Sequence, residues 1–458
     1  MSKDIAIVTE NDEYISYDSL MEHMDEFNKN IQSERNLIII MASNTVGSIT
    51  GYLSCLKYKN VPIMLRDNLE AGQLEKYISD YNVNYVWLPE KWLREKENYL
   101  SERYEEVYLK YGYVLLRISD IKVYMNSELA LLLTTSGTTG SRKLVRLSYG
   151  NIESNTKSIC KYLEISDKDK AITSLPMSYT YGLSVINTHL YSRATVLLTD
   201  KQIYTKKFWE YFKRNGGTSF SGVPYMYEML IKLGMLNDDI ETLGVMTVAG
   251  GKLSINDEKH LLKYAHEYNK KLIVMYGQTE ATARISYRPY EDMNRKIGSI
   301  GIAIPGGSMW LENQKGDIVT KPYNNGEIIY KGENVSMGYA YNYMDLVKGN
   351  TNRGVLHTGD IGYIDEDGYF YILDRCDGSI KVNGHRLDLK DMERMLREKY
   401  PDIEIQCRSE KCYDRYIDKK IKIDIKPKKK MYIDKLEMKT FIKDNTGVNP
   451  GTINITII

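Results

Sequence analysis

The feature that most constrains this chain is a series of short apolar runs separated by stretches of helical spacing. "NLIIIMAS" (36–43), "ATVLLT" (194–199), "LGVMTVAGG" (243–251) and "KLIVMYG" (271–277) read as strands buried on both faces. Between such runs, "VGSITGYLSCLKYKN" and "YMYEMLIKLGML" place apolar residues at helical intervals. Alternation of this kind over some 290 residues predicts an α/β fold of parallel-rich sheets flanked by helices. In such folds, ligands bind where strands end and loops begin.

The texture changes near residue 297. "GSIGIAIPGGSMWLENQKGDIV", "NGEIIYKGENVSMGY" and "GYIDEDGYFYILDRCDG" are alternating and glycine-punctuated, which predicts hairpins and a small β-barrel-like unit. After Asp374 a short hairpin, an amphipathic helix ("LKDMERMLREKY"), two strands, the lysine-rich turn "KPKKK" and a second helix ("DKLEMKTFIKDN") suggest a separate α+β domain. The lysine run reads most simply as a solvated turn. The expected division is 1–374 and 375–458, because 458 residues exceed what one ordinary core holds.

Composition excludes more than it suggests. With 62 Lys and Arg against 61 Asp and Glu, the chain shows no electrostatic footprint for nucleic acid. The five cysteines are scattered, odd in number and without C-x-x-C spacing, so they predict a reducing compartment rather than disulfides or zinc. No uncharged apolar stretch reaches the length of a membrane span, and the first residues lack a signal-like apolar core. A cytoplasmic protein without membrane or nucleic-acid partners is expected.

"LLLTTSGTTGSRKLVRLS" (131–148) carries the first chemical signal. A buried strand feeds a loop of hydroxyls, glycines and a lysine, where backbone N–H groups can approach an anion closely. It is not a Walker A loop, since Gly137 and Gly140 are three apart and Lys143 precedes Leu144. Phosphate binding is the expectation, and a flexible connector is the plainer alternative.

Three further stretches add to it. In "VMYGQTEATARISY" (274–287), Tyr276 can cover a purine, Thr279 can donate to a phosphate, and Glu280 can hold a magnesium ion bridging phosphate oxygens. In "LHTGDIGYIDEDGYFYILDRCDG", Asp360 suits two ribose hydroxyls and Arg375 adds donors across a hairpin. "IKVNGHRLDLKDME" (380–393) runs from a strand through a glycine turn into a helix. Singly, these read as a turn, a surface ion pair and a hairpin tip.

Together and in this order they resemble the adenylate-forming superfamily of acyl-CoA synthetases, nonribosomal-peptide adenylation domains and beetle luciferases. "TSGTTGSRK" resembles its phosphate loop, "YGQTE" its adenine and magnesium motif, "HTGDIG" its ribose motif and "DRCDGSIKVNGHRLD" its interdomain motif. Weaker matches ("LKYKNVPIML", "LPMSYTYGLS", "VAGGKLS", "NGEIIYKGENVSMGY") extend the likeness over essentially the whole chain. The resemblance implies a large AMP-binding N-terminal domain and a small mobile C-terminal one. It further implies attack of a substrate carboxylate on the α-phosphate of ATP, giving an acyl-adenylate, and then transfer to the thiol of coenzyme A or of a carrier-protein phosphopantetheine. The carboxylate is its own nucleophile, so the protein supplies positioning and charge stabilisation.

Carried over residue by residue, the resemblance implies that Thr135, Ser136, Gly137, Thr138, Thr139, Gly140 and Lys143 line the triphosphate. Gly250, Gly251, Tyr276 and Gly277 frame adenine, Thr279 faces the α-phosphate, Glu280 the metal, and Asp360 and Arg375 the ribose. Lys143, Thr279 and Glu280 are the catalytic candidates, Asp377 the hinge, and Gly384 a small residue on the thiol path.

The chain departs from the pattern in three places. Arg142 stands where a proline usually precedes the loop lysine. The family's late G-K loop, whose lysine reaches the substrate carboxylate, has no counterpart before the sequence stops at "NPGTINITII"; a shortened chain is the leading expectation and a natural end the alternative, and a protein that truly lacks this lysine is expected to form the adenylate poorly. Amino-acid-activating members place an aspartate where alignment puts Thr180, which disfavours an α-amino acid. The pocket candidates are Tyr179, Thr180, Tyr181, Ser184, Met275 and Ala283. Arg284 reads more simply as a structural arginine than as a partner for a second substrate carboxylate. An AMP-forming acid–thiol ligase acting on a small carboxylic acid leads. A stand-alone amino-acid adenylation domain and a degenerate nucleotide-binding protein are the alternatives.

Overall fold

The computed structural model describes residues 4–32, 35–96, 104–135, 143–375, 380–382, 385–387, 389–414, 417–428, 433–446 and 448–457. Its apolar runs become the centres of two large sheets. Every residue of the strand Leu37–Ala42 is buried. Ile38 and Ile40 face one core, while Leu37, Ile39 and Met41 face another. Side chains alternate across a strand, so an unbroken apolar run is stable only where both faces are covered. Each such residue contributes roughly 1.5–3 kcal/mol by leaving water.

The first sheet has eight strands in the order Gly338–Ala340, Leu144–Ser148, Leu129–Thr134, Val61–Arg66, Leu37–Ala42, Tyr85–Pro89, Tyr113–Arg117 and Glu105–Lys110. Its middle four are parallel. The second has nine strands, with a parallel run of Lys271–Tyr276, Val245–Val248, Ser219–Gly222, Lys170–Ile172, Thr195–Leu197 and Ile5–Val8.

One core joins the two sheets, since Ile7 and Val196 of one share it with Ile38 and Leu131 of the other. The helix Val46–Lys57 lies in this layer, with nine of its twelve residues buried. Its "GSITG" stretch is small enough to pack close to neighbouring elements, and the Thr45 side chain caps it by accepting from the Ser48 amide at 3.3 Å. The outer face of the eight-stranded sheet packs against the helix Ala71–Tyr81. That of the nine-stranded sheet packs against Lys206–Arg214, Pro224–Lys232 and Ile255–Glu267.

The glycine-punctuated region forms an antiparallel four-stranded sheet of Ser308–Glu312, Gly326–Lys331, Val355–Ile364 and Phe370–Arg375. One of its segments goes elsewhere. Gly338–Ala340 crosses to the eight-stranded sheet and pairs with Leu144–Ser148, which brings a residue of the β-rich region beside the glycine-rich loop.

The last residues form the hairpin Ile380–Val382 and His385–Leu387, the helix Leu389–Lys399, the strands Ile403–Asp414 and Ile417–Pro427, the helix Lys435–Thr446 and the strand Ile453–Ile457. Their core, including Met392, Leu396, Ile423 and Ile453, draws only on residues of this segment. Among the described residues no helix is long and apolar enough to cross a membrane.

Candidate functional site

The glycine-rich stretch lies in sequence between two strands that pair with each other. Leu129–Thr134 and Leu144–Ser148 pair antiparallel, with Thr134 opposite Leu144. Of the phosphate-loop candidates, Ser136, Gly137, Thr138, Thr139 and Gly140 lie outside the described residues, as do Asp377 and Gly384. Thr135 and Lys143 stand at the two ends of the loop. The Lys143 ammonium sits 4.5 Å from the centre of the Tyr339 ring, a distance at which the ring face attracts a cation.

Tyr339 reaches that place because Gly338–Ala340 has joined the eight-stranded sheet, and its hydroxyl donates to Glu280 Oε1 at 2.7 Å. Glu280 is buried, and no lysine or arginine forms an ion pair with it among the described residues. Thr279, also buried, opens the short 3-10 turn Thr279–Ala281 that carries Glu280. Lys143, Tyr339 and Glu280 thus converge from three distant parts of the chain. The sequence reading gave Tyr339 no role.

A second cluster forms where Lys271–Tyr276 ends. Val355–Ile364 and Phe370–Arg375 place Asp360 directly opposite Arg375. Arg375 Nη1 lies 2.7 Å from Asp360 Oδ1, and its Nη2 donates to the Thr358 carbonyl at 3.1 Å. The Tyr276 hydroxyl donates to Asp360 Oδ2. Gln278 Nε2 donates to the same oxygen at 2.8 Å and to the Thr358 carbonyl at 2.9 Å. Burial, and then the charge of Asp360, raise the Tyr276 phenol well above its ordinary range, so it remains a donor. A carboxylate offers about four lone-pair positions, and the protein occupies most of them here. Gln278 was not singled out from sequence, because its partner is 82 positions away.

Two glycines are required by close approach. A Cβ on Gly277 would lie 1.8 Å from the Ala283 carbonyl oxygen and 2.9 Å from the Arg284 Cα. Gly250 has φ +85°, and a Cβ there would lie 2.6 Å from the Tyr179 hydroxyl. Gly251 follows it against Pro224.

Of the acid-pocket candidates, Tyr181, Ser184 and Met275 line a cavity of about 30 Å³ together with Arg284, His189, Ser219, Ser221 and Thr247. Tyr179, Thr180 and Ala283 are not among its lining residues. Thr180 has another task. Its hydroxyl donates to the Thr282 carbonyl, and Thr282 is the centre of a tight turn with φ 63° and ψ −47°, closed by the Ala283 amide on the Ala281 carbonyl at 2.7 Å. That conformation is strained for a β-branched residue, by about 1–3 kcal/mol. A second hydrogen bond holds it, from Thr282 Oγ1 to the Asn334 carbonyl at 2.7 Å.

A family model described as AMP-binding enzyme matches residues 2–340, and the chain belongs to that family. It is 25% identical over 391 residues to an oxalate–CoA ligase of Arabidopsis thaliana, covering 80% of this chain and 74% of that protein. It is 32% identical over 270 residues to a 2-succinylbenzoate–CoA ligase of Bacillus cereus, covering 59% of this chain and 54% of the relative, so the match spans about half of that enzyme's length. Among solved structures, an o-succinylbenzoate CoA synthetase from Bacillus subtilis, a double mutant bound with a product analogue, superposes with a TM-score of 0.80 at 20% identity, covering 100% of this chain and 92% of that one. ATP-bound MatB from Rhodopseudomonas palustris superposes at 0.68, also at 20% identity, with coverage of 100% and 92%. The fold is therefore that of the acyl-CoA ligases, with a large N-terminal and a small C-terminal part.

Proposed function

We propose that this chain is an AMP-forming acid–thiol ligase that activates a small carboxylic acid with ATP and passes the acyl group to coenzyme A. Carrier-protein pantetheine is the alternative acceptor. The observation that carries the reading is the convergence of Lys143, Glu280 and the Tyr276–Gln278–Asp360–Arg375 cluster around the ends of Leu129–Thr134 and Lys271–Tyr276.

The residues fit the nucleotide and its magnesium. Glu280 supplies one buried carboxylate, and no group of three metal-ligating side chains occurs among the described residues. A cation held by one carboxylate takes its other ligands from phosphate oxygens and water, as magnesium does. When bound there it neutralises charge on the phosphates. Asp360 and Arg375 address the ribose, with the sugar hydroxyls competing for lone pairs that Tyr276 and Gln278 now occupy. Gly250, Gly251 and Gly277 leave room for the adenine.

Lys143 and Thr279 stabilise charge that develops as the substrate carboxylate attacks the α-phosphate and pyrophosphate departs. Ser136, Gly137, Thr138, Thr139 and Gly140 complete the triphosphate cradle. The segment after Asp374, with its own core, acts as a second domain that turns at Asp377 and brings the thiol in past Gly384. An α-amino acid is a poor substrate, because Thr180 offers no charge to an ammonium group and its hydroxyl is committed to the turn at Thr282.

The test is acid-dependent release of pyrophosphate and hydroxylamine trapping of the adenylate across fatty, hydroxy, aryl, dicarboxylic and amino acids. Activity with one class, reduced about 10²–10³-fold by Glu280→Gln, is expected. Binding of ATP without acid-dependent turnover would identify a nucleotide-binding protein without ligase activity.

A further inference from the structure

Three buried arginines of this chain are accommodated differently. Arg288 pairs with the equally buried Glu258 carboxylate. Arg146 donates to the carbonyls of Tyr339, Met337, Lys348 and Gly349. Arg284, 3% exposed, has neither arrangement. Its Nε faces Met275 Sδ at 3.4 Å, its Nη1 donates to the carbonyl of its own neighbour Ala283 at 3.2 Å, its guanidinium lies 3.9 Å from the centre of the Tyr181 ring, and the neutral hydroxyls of Tyr162 and Tyr181 are its other polar neighbours. No carboxylate forms an ion pair with it among the described residues.

A guanidinium is charged at every physiological pH, and an unpaired buried charge is costly unless something arrives to meet it. Its charge reaches the surrounding hydroxyls. Burial raises the phenols of Tyr162, Tyr179 and Tyr181, and the nearby Arg284 cation opposes that rise in each.

The guanidinium borders the small cavity that Tyr181, Ser184 and Met275 also line. The cavity has room for one or two waters, or for a head group of that size, beside the hydroxyls of Ser219, Ser221 and Thr247. The acidic residue on its border, Asp169, is engaged by Ser166 and Thr218. His189 adds no negative charge. Its Nδ1 faces the Val185 carbonyl at 2.8 Å, and burial lowers its pKa, which favours the neutral ring.

The backbone links this cavity to the residues assigned to the phosphate. Gly277 abuts the Arg284 Cα and leads directly to Thr279. The strained turn at Thr282, pinned by Thr180 and Asn334, fixes the direction from which Arg284 enters.

We infer that Arg284 receives a second acidic group, so that the acid activated here is a short dicarboxylic acid whose distal carboxylate pairs with this guanidinium. The inference rests on the ligase reading above and names its substrate class. One carboxylate goes to the phosphate end and reacts, while the other stays ionised in the cavity. The same cation repels an α-ammonium group, a second reason against amino acids.

The experiment uses the whole chain with ATP and magnesium, and compares succinate and glutarate with their monomethyl esters. Wild type, R284M and R284K are measured for pyrophosphate release and for thermal melting. The wild type should prefer the diacids by roughly 10²–10³-fold in kcat/KM. R284M should lose that preference without a lower melting temperature, and R284K should keep part of it. An unchanged diacid-to-ester ratio in R284M, or a wild type that prefers the esters, overturns the inference while leaving the ligase reading in place. If wild type turns over no acid at all, the ligase reading fails instead. Calorimetric binding of succinate and glutarate with a non-hydrolysable ATP analogue then decides: binding lost in R284M supports the anion site, and equal or absent binding overturns it.

Discussion

On one side of the Met275–Tyr276 peptide the buried charges meet opposite charges, and on the other a buried cation, Arg284, has no ion pair among the described residues. Tyr276, Gln278 and Arg375 all converge on the Asp360 carboxylate, so the ribose side is assembled before any nucleotide arrives. One residue earlier, Met275 borders the cavity where the Arg284 cation faces a thioether, a carbonyl, the Tyr181 ring and the hydroxyls of Tyr162 and Tyr181. On the proposed function, the first arrangement serves the nucleotide, which is the same whichever acid is activated. On the inference above, the second meets the distal end of the acid, the part of the reaction that varies with the substrate. Preorganisation and vacancy are thus divided by what is constant and what varies in the reaction.

Stability measurements can break this contrast. Arg288→Met should be the most damaging change, costing about 3–5 kcal/mol, because it strands the buried Glu258 carboxylate. Urea unfolding checks it; a loss under about 1 kcal/mol would show that paired and unpaired arginines here are equivalent. Asp360→Asn removes the charge that Arg375, Tyr276 and Gln278 address. A loss of roughly 1.5–3 kcal/mol is expected, with weakened ATP affinity by calorimetry. Unaltered affinity would disconnect this cluster from the nucleotide.

The acid side should also respond to pH. Burial depresses the pKa of His189 in the folded state, and burial with the Lys110 charge does the same for His23. The stability tied to these rings is present above the unfolded value, near pH 6.5, and falls as pH drops through the folded values. The slope is at most about 1.4 kcal/mol per pH unit for each ring. His189→Gln should flatten the melting-temperature profile between about pH 5 and 6.5; an unchanged profile would place the acid sensitivity elsewhere.

The smallest expected effect is the most informative. Arg284→Met should cost no more than about 0.5 kcal/mol, since it removes an unpaired charge and leaves an apolar chain beside Met275 and Tyr181. A large loss would make Arg284 a structural residue, like Arg288.

Much of this was readable from sequence because it is local. The runs 36–43 and 271–277 announce buried strands, and each is a strand. The motif order carries the family, and Asp360 and Arg375 meet because a hairpin must bring its two arms together. What escaped the sequence reading is non-local. Gln278 sits between two recognised residues, yet its task depends on a carboxylate from another sheet. Tyr339 lies in a stretch that reads as part of a small hairpin-built unit, and only its crossing to the eight-stranded sheet places it between Lys143 and Glu280. Thr180 stands where an ammonium-binding aspartate would, but its bond to the Thr282 carbonyl is visible only in the fold.

The sequence by itself determined the class of fold and the family, because periodicity and motif spacing are short-range properties of a chain. Only the tertiary structure decided which buried charges have partners. That depends on which strands and helices surround a side chain, and for Arg284 they supply hydroxyls, rings and sulfur but, among the described residues, no carboxylate in an ion pair with it.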